Sequence, residues 1–191
     1  MKSIDMWVVK KQEELKSLGS LLNNFDFDQV QNLGDLVIQK LNSGNKIAFL
    51  GNGGSAAEAM HIASEFVSKC CIDHKPLHAI CLNESQAAIT AMGNDYGFES
   101  IFERLVQAEL EDNDVLIALS TSGKSINVLN AIKSALELGV YVVLWTGSKN
   151  IDLPNVETWC CPLLSTPRIQ EVHLVWGHLL AEYVELHFPN D

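Results

Sequence analysis

The sequence predicts an α/β protein in which one five-stranded parallel sheet lies between two layers of helices, as in a Rossmann-like three-layer sandwich. Short β-rich apolar runs alternate with longer segments whose apolar residues recur at helical spacing. The runs are mostly apolar rather than alternating with polar residues, which is expected when helices cover both faces of a sheet. Five runs are predicted as strands, at 46–50, 77–82, 115–120, 140–146 and 156–163.

Helical patterns fill the remaining segments, at about 3–23, 27–43, 55–70, 84–110, 125–138 and 167–188. In the first of them Leu15, Leu18 and Leu22 fall at helical spacing. The fourth is interrupted near Gly93–Gly97, and Pro167 suits the first turn of the last. Since ligands of such sheets bind beyond the carboxyl ends of the strands, a site is expected in the loops that directly follow the strands.

Length and charge exclude several classes of protein. The 191 residues suit a single domain over 1–191. Thirteen Lys and Arg against 24 Asp and Glu give a net charge of −11, which argues against a nucleic-acid-binding surface. A small phosphorylated ligand remains compatible, because backbone N–H groups and hydroxyls can hold a phosphate.

The chain is predicted to be cytoplasmic, with no membrane partner. Its longest apolar run, Val140–Trp145, is too short to span a bilayer, and Lys10 and Lys11 interrupt the apolar segment Met6–Val9 that a signal peptide would need. The cysteines stand at 70, 71, 81, 160 and 161 with no CxxC pair, so reduced thiols are expected rather than disulfides or a zinc ribbon.

A glycine-rich loop follows the first predicted strand, with the sequence Gly51-Asn52-Gly53-Gly54-Ser55. Glycines permit positive φ and close backbone approach, and the next helix offers free N–H groups, so an anion or sugar site is favoured. The alternative is a tight turn with Ser55 as the helix N-cap. A dinucleotide fingerprint is disfavoured because Ala56 occupies the place of its third glycine.

A hydroxyl-rich loop follows the third predicted strand, with the sequence Ser120-Thr121-Ser122-Gly123-Lys124-Ser125. Its end resembles a nucleotide-binding P-loop, but Ala118 stands where the strict motif has its first glycine. Four hydroxyls and backbone amides at a helix start suit a phosphate monoester better. A capped turn without a ligand is the remaining alternative.

Two helices carry residues that could bind a metal or move a proton. His61 and Glu65 are four apart and so share a helix face, which fits either a pair of metal ligands or a surface hydrogen bond. On the last helix, Glu171 and His178 lie near one face, whereas Gln170 and His178 are about 80° apart at 100° per residue. Periodicity therefore does not select Gln170, and a histidine on this apolar helix also fits a core residue.

Four motifs in this order and spacing resemble the phosphoheptose isomerase family of the sugar isomerase (SIS) fold: GNGGSAAEAMH, GNDYGF, STSGKS and TPRIQEVHLVWGH. The similarity extends over nearly the whole chain, from 3 to 188. It implies one SIS domain and a homotetramer with active sites at subunit interfaces, the helices at about 3–43 taking part in oligomer contacts. It also implies conversion of sedoheptulose 7-phosphate to D-glycero-D-manno-heptose 7-phosphate, the first step of ADP-heptose or GDP-heptose precursor biosynthesis. These precursors supply the heptose of lipopolysaccharide cores and of some capsules or S-layers.

The resemblance also implies a role for individual residues. Glu65 and His178 match the catalytic acid–base pair, and one zinc ion per subunit is expected on His61, Glu65, Gln170 and His178. The substrate-binding residues implied by the motifs are Asn52, Gly53, Gly54, Ser55, Glu65, Asn94, Asp95, Ser120, Thr121, Ser122, Ser125 and Gln170. The chain departs from the family pattern at Glu58, where relatives often have Asp, and in the short loop Ser148–Leu153.

Two other functions are open to the same fold. The DnaA initiator-associating protein is a tetrameric replication factor with a similar RIQE segment and a Phe-Pro tail like Phe188-Pro189. That branch lacks the histidine matching His178 and has a disrupted glycine loop, whereas both are intact here, so the isomerase is favoured. A regulatory domain that senses a sugar phosphate is disfavoured because no helix-turn-helix extension is recognised in this sequence.

Overall fold

The structure is a computed structural model that describes residues 3–149, 151–162 and 165–190. The described residues contain five strands, as predicted: β1 Ile47–Gly51, β2 Ala79–Cys81, β3 Val115–Leu119, β4 Tyr141–Thr146 and β5 Val156–Cys160. The α-helices among them are α1 Ser3–Asn23, α2 Phe27–Asn42, α3 Gly54–Val67, α4 Gln86–Tyr96, α5 Ile101–Glu109, α6 Ile126–Glu137 and α7 Thr166–Glu185.

The five strands form one parallel sheet in the order β2-β1-β3-β4-β5. The chain enters at β1, adds β2 on one side and then crosses to β3 on the other side. The carboxyl ends of β1 and β3 are therefore a topological switch point, where α/β sheets bind their ligands. Gly51 and Leu119 pair at those ends, so the glycine loop and the hydroxyl loop leave the sheet side by side.

Alternate residues of the strands supply two apolar cores, one on each face of the sheet. Ile47 and Phe49 of β1 point to the core that α2, α3 and α7 complete, and α1 packs at its edge. Ala48 and Leu50 point to the core under α4, α5 and α6. The apolar strand runs are explained by these two covered faces, and the predicted α/β sandwich is confirmed.

Several strands and helices begin or end at residues other than those predicted. The strand predicted at 77–82 is reduced to β2, and β5 ends at Cys160, three residues before the predicted end at 163, which lies outside the described residues. The interruption predicted near Gly93–Gly97 occurs at Gly97, whose φ of 88° ends α4 before the short 3₁₀ turn Phe98–Ser100.

Helices α3 and α7 lie side by side and run in the same direction. Gly54 meets Gln170 at one end, Ile62 meets Gly177 in the middle, and the segment after α3 meets Glu185 at the other end. All five cysteines are free thiols, as predicted. Among the residues that the structure describes, no helix combines the length and apolar character needed to cross a membrane.

Candidate active site

The glycine loop is held in place by the side chain of Asn83. The Asn83 carbonyl oxygen accepts from the Gly51 N–H at 3.1 Å, and the Asn83 amide donates to the Gly51 carbonyl at 2.9 Å. Gly53 has a φ of 57° and is the N-cap of α3, with no side chain capping the helix. The alternative of Ser55 as N-cap is therefore wrong, and the first turn of α3 is open to an anion.

Asn52 joins the glycine loop to the start of α6 through a reciprocal amide pair. The Asn52 amide donates to the Asn127 carbonyl oxygen at 2.8 Å, and the Asn127 amide donates back at 2.9 Å. Asn127 is buried, and its carbonyl oxygen also accepts from the Val128 N–H at 3.0 Å. The two strand-end loops are thus one hydrogen-bonded unit.

The hydroxyl loop makes a tight turn that brings its first and last serines together. Gly123 has a φ of 64° and its N–H donates to the Ser120 carbonyl at 2.9 Å. The Ser120 and Ser125 hydroxyls are 3.4 Å apart, and the Ser122 hydroxyl accepts from the Lys124 N–H at 3.1 Å. Ser125 is the N-cap of α6 but does not bond its own helix, so its hydroxyl can face a ligand.

These loops border a cavity of about 520 Å³, which is lined by Asn52, Phe98, Glu99, Ser125, Ile126 and Asn127. Asn94 and Asp95, two further predicted substrate residues, lie in the last turn of α4 just before this lining segment. They are exposed, and the Asn94 amide donates to the Asp95 carboxylate at 2.7 Å. They are not among the residues that line the cavity, and their predicted substrate contact stays a prediction.

Three predicted metal ligands converge between α3 and α7. His61 Nε2 is 2.9 Å from His178 Nε2 and 3.4 Å from Glu65 Oε1. Ligand atoms of these residues all lie within 4.8 Å of one another. At 2.9 Å only one of the two facing imidazole nitrogens can carry a proton. Two imidazole nitrogens and a carboxylate match the donor set of catalytic zinc sites that keep one open position.

Gln170, the fourth predicted ligand, lies apart from this cluster within the chain. Its side-chain amide packs so closely on Gly54 that a Cβ at residue 54 would overlap it. It precedes His178 by eight residues, which is about 12 Å along a helix. Its position beside the glycine loop is compatible with the predicted substrate contact, which stays a prediction. Within one chain, Gln170 is separated along α7 from the cluster of His61, Glu65 and His178.

Comparison with known proteins shows the family. The SIS domain model matches residues 13–147. A phosphoheptose isomerase of Clostridium acetobutylicum is 43% identical over 164 residues, which are 83% of this chain and 82% of that protein. The chain belongs to the phosphoheptose isomerase family.

Solved structures of the same family superpose over nearly the whole chain. A phosphoheptose isomerase of Neisseria gonorrhoeae has a TM-score of 0.84 at 30% identity, covering 95% of this chain and 98% of that one. One from Francisella tularensis has a TM-score of 0.87 at 28% identity, covering 97% of this chain and 100% of that one. The SIS fold implied by the four sequence motifs is therefore confirmed.

Asn83 and Asn127 were not identified from the sequence, although both support the family's glycine loop. Each is a polar residue close behind a predicted strand or at a helix start, and that position is the signal that could have found them. What the sequence does not show is that their amides face Gly51 and Asn52 across the switch point.

Glu58 is a third residue that sequence reasoning left out of the site, after Asn83 and Asn127. It lies on α3 between the glycine loop and His61, on the stripe that includes Ser55 and Ile62. Neither carboxylate oxygen makes a hydrogen bond of good geometry, and both are buried. Burial raises the pKa of Glu58 to about 7, and the neighbouring Ser55 hydroxyl offsets only part of that rise.

His173 rather than His178 is the core histidine of α7. It is fully buried, and its ring stacks on Trp176 with centroids 5.5 Å apart. Burial lowers the pKa of His173 to about 3, so the ring is neutral near pH 7. His178 is half-buried and faces His61, so the interpretation of His178 as a core residue is wrong.

Proposed function

We propose that this protein converts D-sedoheptulose 7-phosphate to D-glycero-D-manno-heptose 7-phosphate through an enediol intermediate. The observation that carries the proposal is the convergence of His61, Glu65 and His178 in a chain whose strand-end loops suit a phosphate. Relatives that are 43% identical carry the name phosphoheptose isomerase, which supports the substrate class. The comparisons with known proteins give no support to the initiator-binding alternative.

Two residues of the cluster would carry out the acid–base chemistry. Isomerisation moves a proton between C1 and C2 of the sugar, and the Glu65 carboxylate would take and return that proton. His178 would move the proton between the two oxygens, since imidazole titrates near neutral pH. His61, 2.9 Å from His178, orients that ring by a hydrogen bond between their nitrogens.

The cluster also fits a zinc ion, held by His61, Glu65 and His178, with Gln170 as the fourth ligand that the family resemblance implies. When bound, a zinc ion would polarise the carbonyl oxygen of the sugar. A carboxylate bound to a cation is a weaker base, so the two proposed roles of Glu65 compete. The alternative is that zinc only organises the site while Glu65 and His178 act on the substrate.

The phosphate would bind at the start of α6. Ser120, Thr121, Ser122 and Ser125 belong to the loop that leads into that helix, and the free N–H groups of its first turn would attract an anion. Such a site needs few basic side chains, which is consistent with a chain that carries a net charge of −11.

A homotetramer with active sites between subunits would bring the two parts of the site together. Within one chain, His61 follows Gly54 by seven residues, so the metal cluster lies about 10 Å along α3 from the glycine loop.

Helix α1 exposes apolar side chains that a partner would cover: Ile4, Met6, Trp7, Val8, Val9 and Leu15. We expect Trp7→Glu to reduce the mass measured by light scattering from that of a tetramer.

Co-expression of two inactive variants tests whether sites are shared between subunits. A chain carrying His61→Ala and a chain carrying Gln170→Ala should regain part of the activity in mixed oligomers, because some interfaces would combine intact halves. A mixture as inactive as its components would contradict shared sites.

The central test is turnover of sedoheptulose 7-phosphate by the purified protein, with added zinc and with a chelator. An aldose phosphate product is expected with zinc, and the Glu65→Gln variant serves as the background. No turnover with zinc supplied would refute the isomerase. In the cell, the protein would act in the cytoplasm and supply a heptose precursor for lipopolysaccharide cores.

A further inference from the structure

A second group of metal-binding side chains lies beyond the candidate active site, between the end of α3 and α7. Ligand atoms of Cys70, Cys71 and Glu182 all lie within 4.8 Å of one another. Glu182 follows His178 by four residues, which is one helical turn or about 6 Å further along α7. The two groups of donors are therefore separate but neighbouring.

The backbone that carries the two thiols is fixed by Glu185. The buried Glu185 carboxylate accepts from the N–H groups of Cys70 at 3.0 Å, Cys71 at 2.9 Å and Ile72 at 3.0 Å. Its lone pairs are thus used by the loop, so Glu185 is not counted as a ligand. The anchored loop holds both thiols against α7, and the Cys70 sulfur lies 4.0 Å from the His178 carbonyl oxygen.

A groove borders this group and includes Cys71 and Glu182, but not Cys70, in its lining. It has a volume of about 290 Å³ and is otherwise lined mainly by apolar side chains. The Glu182 carboxylate lies within 4.8 Å of the Cys70 sulfur, and burial together with the negative groups nearby raises the pKa of the Cys70 thiol to about 12, so metal binding has to displace its proton. The carboxylates make the surroundings of the thiols negative, which favours a cation over an anion.

We propose that Cys70, Cys71 and Glu182 bind a divalent cation of the zinc class, with water in the fourth position. Thiolates select zinc-like cations over magnesium or calcium, and two sulfurs of a tetrahedral zinc site with bonds of about 2.3 Å stand about 3.8 Å apart. Each thiol gives up its proton to solvent as its sulfur–metal bond forms. The bound ion joins the loop after α3 to α7 next to His178.

Cobalt(II) is the probe, because a thiolate bound to cobalt gives a near-ultraviolet charge-transfer band that imidazole and carboxylate ligands do not give. The metal-free full-length protein, reduced with a phosphine, is titrated with cobalt chloride. The band is expected in the wild type and in His61→Ala, in which the active-site cluster is disabled. It should be lost in Cys71→Ser and kept in Cys160→Ser, the matched control for removal of a thiol.

The absence of the band in the wild type would overturn the proposal, as would its persistence in Cys71→Ser. Glu182→Gln should weaken cobalt binding at this site about tenfold or more, by analogy with the cost of disturbing a metal site. The result does not depend on the isomerase assay, and Cys71→Ser is expected to keep the wild-type turnover rate. A failure of the proposed activity would therefore be distinguishable from a failure of this site.

Discussion

The two parts of the candidate site are constructed in different ways. The strand-end loops are fixed by hydrogen bonds that they make among themselves, through Asn83 to Gly51 and through Asn127 to Asn52. The cluster of His61, Glu65 and His178 is fixed by the packing of α3 on α7, and its ligand atoms face one another. The loops are therefore held by the protein's own hydrogen bonds, whereas the facing imidazole nitrogens of His61 and His178 need a proton or a cation between them.

The largest effect is expected where the cluster is broken. Glu65→Gln or His178→Ala should each lower kcat by about 10² or more, the scale of lost general acid–base catalysis. The measurement is the steady-state rate with sedoheptulose 7-phosphate. Glu171→Gln is the matched control on α7, because Glu171 pairs with Arg168 rather than with the cluster. A near-normal rate in either variant would remove that residue from the mechanism.

The second largest effect is expected from Asn127→Ala, which tests whether the two strand-end loops depend on the amide pair of Asn52 and Asn127. Asn127→Ala leaves the buried side of Asn52 without a partner, so the free energy of unfolding should fall by about 1–3 kcal/mol. Urea denaturation measures that change. Asn130→Ala, on the same helix, removes a hydrogen bond to the Glu99 carbonyl and should cost less. Equal losses in the two variants would show that the pair has no special role.

A change confined to the hydroxyl loop should weaken binding more than catalysis. Ser120→Ala combined with Ser122→Ala is expected to raise KM about tenfold while kcat falls less, because hydroxyl bonds to a charged phosphate give uniform binding. Ser148→Ala, in the loop after β4, is the control. An unchanged KM would move the phosphate site away from this loop.

The smallest effect concerns Glu58, which lies between the two parts. Its pKa is raised by burial from 4.5 to about 7, so its charge opposes folding increasingly as the pH rises through that window. Glu58→Gln should therefore match the wild type near pH 4.5 and be more stable at pH 8. The expected difference is about 1 kcal/mol, because partial solvent exposure of Glu58 reduces the roughly 3 kcal/mol that the full shift would give. Urea titrations at both values measure this difference. A difference in unfolding free energy that is the same at pH 4.5 and pH 8 would contradict the raised pKa of Glu58.

The fold and the loops were predictable because their signals are local. Apolar runs, glycines at Gly51–Gly54 and hydroxyls at Ser120–Ser125 are properties of short segments, and the structure arranges them as the α/β pattern implies. The spacing of His61 and Glu65 also indicated a shared helix face, which the 3.4 Å contact confirms.

The remaining features of the site could not be predicted, because they depend on contacts between segments that are distant in sequence. Periodicity gave no reason to pair His61 with His178, which is 117 residues away, or to expect that Gln170 would pack on Gly54. The amides of Asn83 and Asn127 and the buried carboxyl of Glu58 likewise depend on what packs against them. Family motifs supplied the ligand set, but not the position that each side chain takes within one chain.

The parallel course of α3 and α7 determines where the chain can change in length. Gly54 contacts Gln170, His61 faces His178, and Cys70 in the loop after α3 donates to Glu185. The offset in sequence between partners therefore stays nearly constant from one end of α7 to the other. One residue inserted within either helix would turn everything after it by 100° and separate these pairs. Insertions and deletions should therefore be tolerated in the loop after β4 but not between Gln170 and Glu185, and an alignment gap inside α7 would indicate a relative with a different site.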